Sequence, residues 1–142
     1  HRGEMGLKGY ASLEDVAERL MRTNPRLDRE RALWLAPHWA RPDALGQWRI
    51  LGDPAHKVVN ANLYQVEETL ELYRRITAPV LVVEASDDSL SVWWNGAYTL
   101  DEFHQRLIEV PQVRRLRVEN AGHMLHHDQP AVLAAELRAF LE

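Results

Sequence analysis

The stretch PVLVVEASDD, residues 79–88, decides the fold of this chain. Its continuous run of β-branched and apolar residues is typical of a parallel strand that is covered on both faces. A second strand is predicted at VRRLRVE, residues 113–119, where polar and apolar residues alternate as on an edge strand with one solvated face. Helices are predicted after each strand, at TLDEFHQRLIEVP and PAVLAAELRAFL. The order strand, helix, strand, helix predicts a parallel α/β sheet.

Two strands do not make a stable sheet, so the first strand needs a further neighbour. We find no obvious candidate elsewhere in the sequence. The chain also begins at His1, without an initiator methionine or a signal-peptide pattern. Together these features predict the end of a larger α/β fold.

The first half of the chain is predicted to be helical with irregular connections. Ser12, followed by Asp15 three residues later, is a helix-start signal, and apolar residues then recur at helical spacing up to Leu20. A second helix is predicted over residues 29–36, and a third precedes Pro79. Residues 37–61 are rich in Trp, Pro and Gly and are expected to form a long structured loop.

Composition narrows the function classes. The 142 residues are 46% hydrophobic and 27% charged, as in a globular protein, with a net charge of −4 that gives no case for binding nucleic acid or an anionic membrane. No apolar run reaches the length of a membrane span. The absence of cysteine excludes thiolate metal sites and a cysteine nucleophile. It leaves the compartment open, with the cytoplasm as the default expectation.

Both predicted strands end in titratable residues. Asp87 and Asp88 follow the first strand, and His123 follows the second. Because the carboxyl ends of parallel strands meet at one edge of the sheet, an acid and a histidine are expected to lie together there. This is the arrangement of a general base and the carboxylate that orients it.

The stretch AGHMLHHDQP, residues 121–130, also allows a metal interpretation. His126, His127 and Asp128 could bind zinc together with His123. Metal ligands usually come from separate elements, however, and these residues crowd the start of the last helix, where Asp128 is a cap-region acid. We therefore predict no metal and no other cofactor.

Residues 76–141 resemble the C-terminal part of an α/β-hydrolase. PVLVVEASDD is similar to the family's strand that bears the triad acid, and VENAGHMLHHDQPAVLAAELRAFL to its last strand, histidine loop and final helix. The resemblance implies that Asp88 is the triad acid and His123 the general base. Ala85 departs from the glycine that the family usually has there. The implied organisation is an incomplete α/β-hydrolase fold: a helical cap region at residues 1–62, and the C-terminal part of the core, with the last two parallel strands and flanking helices, at residues 63–142.

The family's nucleophile elbow, G-x-S-x-G, does not occur in the sequence. The chain alone is therefore expected to be inactive, and the complete enzyme is expected to hydrolyse esters of a small-molecule substrate. An aspartate nucleophile, as in dehalogenases and epoxide hydrolases, stays open. The serines considered as nucleophiles lack flanking glycines; these are Ser12, Ser86, Ser89 and Ser91.

A different class of function is a noncatalytic module that associates through its exposed strand edge. The expected partner is the N-terminal half of the hydrolase or a second copy of the chain in a homodimer. Of the five tryptophans, most are expected to pack against apolar surface. Trp93 and Trp94, which follow the acid, and Met124, beside His123, are the candidates for substrate contacts.

Overall fold

The computed structural model describes residues 7–58 and 60–142. The chain divides into two compact units, His1–Leu63 and Tyr64–Glu142. The first six residues and Val59, which belong to the predicted cap region, lie outside the described residues. No helix in the described ranges has the length and apolar character needed to cross a membrane.

Two helices form the centre of the first unit. Helix α1, Leu13–Thr23, begins with a reciprocal capping box in which the Ser12 hydroxyl accepts the Asp15 N–H and the Asp15 carboxylate accepts the Ser12 N–H, both at 3.1 Å. Helix α2, Arg29–Trp39, runs past the predicted end at residue 36. Pro37 removes only one backbone donor near the end of the helix, and the N–H of Ala40 still reaches the carbonyl of Ala36.

The helices bury a continuous apolar core. Its members come from both helices, from their connection and from the first two strands of this unit: Tyr10, Val16, Ala17, Leu20, Leu27, Ala32, Ala36 and Ala40. Trp39 and Trp48 are partly buried against this core, so at least these two tryptophans have the packing role expected for most of them.

The long loop predicted over residues 37–61 is wrong in part. Strands β2, Ala40–Pro42, and β3, Trp48–Ile50, form an antiparallel hairpin there, and β1, Gly9–Tyr10, pairs with the other edge of β3. A 3₁₀ helix, Pro54–Lys57, follows. The Asp43 carboxylate organises the hairpin turn by accepting the N–H groups of Leu45 and Gln47, at 2.9 and 3.0 Å. Strands of two or three residues are too short for an alternation that a sequence pattern could reveal.

The second unit contains the predicted parallel pair. Strands β4, Val80–Ala85, and β5, Val113–Val118, pair in parallel from Val80↔Val113 to Ala85↔Val118, which confirms the predicted sheet order. Around them lie five helices in the described residues: α3, Val66–Arg74; α4, Ser89–Trp93; α5, Leu100–Leu107; α6, Leu125–Asp128; and α7, Pro130–Leu141. The sequence predicts a capping box of Thr99 with Glu102 at the start of α5, and one half of it is confirmed, because the Thr99 hydroxyl accepts the Glu102 N–H at 3.2 Å. The Glu102 carboxylate instead accepts a bond from Arg106.

Strand β4 is less covered than its sequence predicts. Among the described residues it pairs with β5 alone, and all six of its residues are only partly buried. A polar pair joins β4 to α5, where Nε2 of His104 lies 2.6 Å from Oε1 of Glu84. The two parallel strands nevertheless end side by side, and this alignment positions the loops that follow them.

Candidate active site

The two strand-end loops lie side by side because β4 and β5 end in register. We call residues 86–88, after β4, the acid loop, and residues 119–123, after β5, the histidine loop. The acid loop continues the sheet pairing by two further backbone bonds: Ser86 N–H donates to the Val118 carbonyl at 2.9 Å, and Asp87 N–H donates to the Ala121 carbonyl at 3.1 Å. The sheet therefore extends its hydrogen bonding into both loops.

The histidine loop turns sharply and is tied down from the helices that follow it. Asn120 has a φ of 54°, in the left-handed region that asparagine tolerates better than most residues. Its carbonyl accepts a bond from Nε2 of Gln129 at 3.2 Å. Two residues later, the Gly122 N–H donates a hydrogen bond to Oδ2 of Asp128 at 2.8 Å. The backbone is thus fixed on the residues that immediately precede His123.

Asp88 is the N-cap of helix α4 and uses both carboxylate oxygens on one residue. Oδ2 accepts the Ser91 hydroxyl at 2.6 Å, and Oδ1 accepts the Ser91 N–H at 3.0 Å. These bonds, the hydroxyl bond more than the backbone bond, hold the pKa of the Asp88 carboxyl below its ordinary value. Asp88 is therefore an anion at neutral pH, as an orienting carboxylate has to be.

His123 and Asp88 line the same cavity of about 480 Å³ in the second unit. In the described structure no hydrogen bond or ion pair joins the two side chains directly. The His123 side chain is exposed, and its ring lies against that of Trp93, with the ring centroids 4.9 Å apart and the planes inclined by 33°. The imidazole is thus free to reach a reacting group on its open side.

The remainder of the cavity wall is largely apolar and aromatic. Its apolar and aromatic members include Tyr73, Val82, Leu90, Tyr98, Phe103 and Leu125, and its polar members are Glu84, Asp87 and Ser89. Burial raises the pKa of the Tyr98 hydroxyl, and the Arg106 guanidinium lies 4.6 Å from the centre of the Tyr98 ring. Such a wall, with few polar groups, suits a small ligand with an apolar part.

The other predicted substrate contacts occupy different positions. Trp93 touches His123, Trp94 is the C-cap residue that follows helix α4, and Met124 precedes α6. None of the three is among the described residues that line this cavity. All three stay predictions as substrate contacts.

The histidine-rich segment divides between two roles. His127 is buried, and its ring lies 4.2 Å from that of His126, while Asp128 holds the Gly122 N–H. Within the described ranges, no group of three or more His, Cys, Asp or Glu residues is arranged to hold a metal ion. Asp128 thus contributes to the histidine loop through a backbone hydrogen bond.

Sequence reasoning missed the polar side chains that fix the loops. The sequence indicates Ser86 only as a candidate nucleophile, and Asp128 only as a metal ligand or helix-cap acid. The available signal was position: Ser86 stands two residues before Asp88, and Asp128 stands five after His123. Spacing alone did not identify their partners, because both partners are backbone groups of the histidine loop.

Comparison with known proteins assigns a fold and a family to this arrangement. Residues 5–136 match the family described as the alpha/beta hydrolase family. An esterase of Mycobacterium tuberculosis superimposes with a TM-score of 0.75 at 17% sequence identity, covering 97% of this chain and 44% of the esterase. The thioesterase domain from the curacin biosynthetic pathway superimposes with a TM-score of 0.72 at 20% identity, covering 96% of this chain and 47% of that domain.

A third solved structure, E-2-(acetamidomethylene)succinate hydrolase, gives a TM-score of 0.68 at 15% identity, covering 96% of this chain and 47% of that enzyme. The chain therefore spans less than half the length of these solved structures. No curated protein matches the sequence at a significant level.

Proposed function

Because the chain belongs to the alpha/beta hydrolase family, we propose that it supplies the acid and the histidine of a Ser-His-Asp triad. The observation that carries this proposal is the cavity shared by Asp88 and His123 at the carboxyl ends of adjacent parallel strands. Their order along the chain, acid before histidine, is also the order of this family.

In the complete enzyme, a serine hydroxyl attacks the acyl carbon of an ester while His123 accepts the hydroxyl proton. His123 then gives this proton to the leaving alcohol, and a water molecule repeats the sequence on the acyl-enzyme. Asp88 orients the imidazole and stabilises its protonated form. The low pKa of the Asp88 carboxyl keeps that charge available at neutral pH.

Ester hydrolysis is the favoured reaction because the similar structures include an esterase, a thioesterase and a further hydrolase. A nucleophilic aspartate in place of serine is the second candidate within the family. We also propose that residues 1–62 are the cap region of the enzyme, and that the 142-residue chain alone is inactive, since the sequence has no G-x-S-x-G.

The nucleophile would come from a polypeptide segment that also pairs with the free edge of β4. Support for this is the pairing of β4 with β5 alone in the described residues, and the coverage of less than half of each similar structure. Self-association through the same edge is the alternative. Light scattering on the 142-residue chain separates the two, because self-association gives a dimer whereas the favoured proposal gives a monomer that binds the missing half.

Fluorophosphonate labelling of the full-length protein tests the reaction. The favoured proposal expects covalent labelling of one serine, and labelling should fall by about 10³-fold or more in His123→Ala. Asp88→Asn should slow labelling strongly while leaving the fold intact. His126→Ala, which removes an exposed imidazole outside the cavity wall, is the matched control. Full labelling of His123→Ala would contradict the triad, and absence of labelling with an intact elbow serine would exclude the serine esterase.

A further inference from the structure

Ser86 joins the two loops of the site through a single hydroxyl group. Its Oγ donates to the Ala121 carbonyl and accepts the Ala121 N–H, each at 3.2 Å. Ala121 has no exposed surface, so these bonds are shielded from water. The hydroxyl therefore satisfies both backbone groups of one buried residue from across the sheet.

We infer that Ser86 is a positioning residue that sets the spacing between Asp88 and His123; this inference rests on the proposed function. Ser86 stands two residues before Asp88, and Ala121 stands two residues before His123. A shift at this junction is therefore passed directly to both side chains. Both side-chain bonds of Ser86 end on the histidine loop.

The same contacts exclude Ser86 as the nucleophile of the site. A nucleophilic serine needs its hydroxyl proton directed to a base, with the oxygen open to an acyl carbon. The Ser86 proton is directed to the Ala121 carbonyl, and its oxygen accepts the Ala121 N–H. Both the donor and the acceptor function of the Ser86 hydroxyl are therefore occupied by the bonds that join the loops.

Loss of the hydroxyl has an uneven effect on Ala121. The Ala121 carbonyl keeps the bond from the Asp87 N–H, whereas the Ala121 N–H loses the hydroxyl that accepts it. The expected response is a movement of the histidine loop toward a new acceptor or toward water. A displacement of about 1 Å between reacting groups is enough to cost about 10²-fold in rate.

The test compares Ser86→Ala, Ser86→Thr and Ser12→Ala in the complete enzyme, with p-nitrophenyl acetate as the probe. Ser86→Ala should lower kcat by about 10- to 100-fold with little change in KM, and should move the acidic limb of the kcat/KM profile to lower pH. The limb moves because a carboxylate farther from the imidazole favours the protonated form less. Ser86→Thr keeps a hydroxyl and should restore most of the rate.

Ser12→Ala is the matched control, since it also removes a serine hydroxyl that accepts a backbone N–H, but at helix α1. It should lower the melting temperature while leaving kcat and the pH profile unchanged. A readout that needs no substrate is the position of the His123 imidazole proton resonance at fixed pH, which should shift in Ser86→Ala and return in Ser86→Thr.

The two proposals fail in different ways. Full activity in His123→Ala would overturn the proposed function. An inactive His123→Ala variant, combined with wild-type kcat, pH profile and imidazole resonance in Ser86→Ala, would overturn the positioning role alone. Equal changes in Ser86→Ala and Ser12→Ala would also overturn it, because a general loss of stability would then explain both.

Discussion

The two units of the chain differ in the interactions that stabilise each of them internally. In the first unit, the side chains of Val16, Ala17, Ala32 and Ala36 are completely buried between two helices. In the second unit, every residue of β4 is only partly buried, and large apolar side chains such as Trp93, 71% exposed, face solvent. The candidate catalytic residues belong to the second unit, in which fewer of the described apolar residues are buried.

This difference shows how the site geometry is maintained. A loop that cannot rely on a dense core can still be fixed by hydrogen bonds to its backbone. In the described structure the histidine loop has four such side-chain bonds, two from Ser86 and one each from Asp128 and Gln129. We therefore expect packing to dominate stability in the first unit, and polar contacts to dominate local order at the site.

The largest expected effect is the loss of core packing in the first unit. Leu20→Ala removes a side chain that is 3% exposed and should cost about 2–5 kcal/mol in unfolding free energy. Leu72→Ala is the control in the second unit, because Leu72 is 64% exposed and its truncation should cost less than about 0.5 kcal/mol. Denaturant unfolding measures the loss of stability in each variant, and hydrogen exchange in α1 and α3 assigns that loss to the first or the second unit. Equal losses would contradict the difference in packing.

The second prediction concerns the polar contacts of the histidine loop. Asp128→Ala leaves the Gly122 N–H without its carboxylate acceptor. The free energy needed to open the histidine loop should fall by about 1–3 kcal/mol, so the open loop becomes more populated. Amide exchange at Gly122 measures this opening directly. Asp128→Asn retains an acceptor oxygen and should restore most of the protection. Unchanged exchange in Asp128→Ala would mean that the loop is held by other contacts.

The sequence predicted the parts of this molecule that have long periodic patterns. Helix α1, the parallel pair β4 and β5, and the cap of α5 all follow from apolar periodicity and capping residues. The hairpin of β2 and β3 was missed because three-residue strands give no periodic signal, although Asp43 and Gly46 mark its turn. Short elements of this kind depend on tertiary contacts.

The candidate site was predictable to a similar depth. Topology alone placed an acid and a histidine on adjacent strand ends, and both line one cavity. The contacts that fix these two residues were not predictable from the sequence. Ser86 binds the main chain of Ala121, which is distant in sequence, and Asp128 binds the main chain of Gly122, which follows the left-handed turn at Asn120. A side chain that binds backbone leaves no complementary residue type in the sequence to reveal the pair.

A smaller effect separates the helix caps of the two units. Ser12→Ala removes a reciprocal capping box at α1 and should cost about 1–2 kcal/mol, whereas Thr99→Ala removes a single bond at α5 and should cost about 0.5–1 kcal/mol. Thermal unfolding of both variants, with Ser12→Thr and Thr99→Ser as conservative controls, gives the ranking. A larger loss of stability in Thr99→Ala than in Ser12→Ala would contradict the expectation that the capping box of α1 contributes more than the single cap bond of α5.

The smallest effect is a difference in how salt acts on two carboxyl groups. The pKa of Asp43, in the first unit, is lowered mainly by its hydrogen bond to the Arg49 guanidinium, whereas the pKa of Asp88 is lowered mainly by the neutral hydroxyl of Ser91. Each ionised carboxylate stabilises the folded chain above its ordinary pKa of 3.8, and this contribution is lost as pH falls through the lower folded value.

Raising the salt from about 0.01 M to about 1 M should raise the pKa of Asp43 and leave that of Asp88 nearly unchanged, because salt screens only the charged partner. Carboxyl carbon NMR titrations measure both groups in one sample, and Ser91→Ala should raise the pKa of Asp88 alone. An equal response of both groups to salt would show that Asp88 also depends on a nearby cation, and the assignment of its low pKa to Ser91 would be wrong.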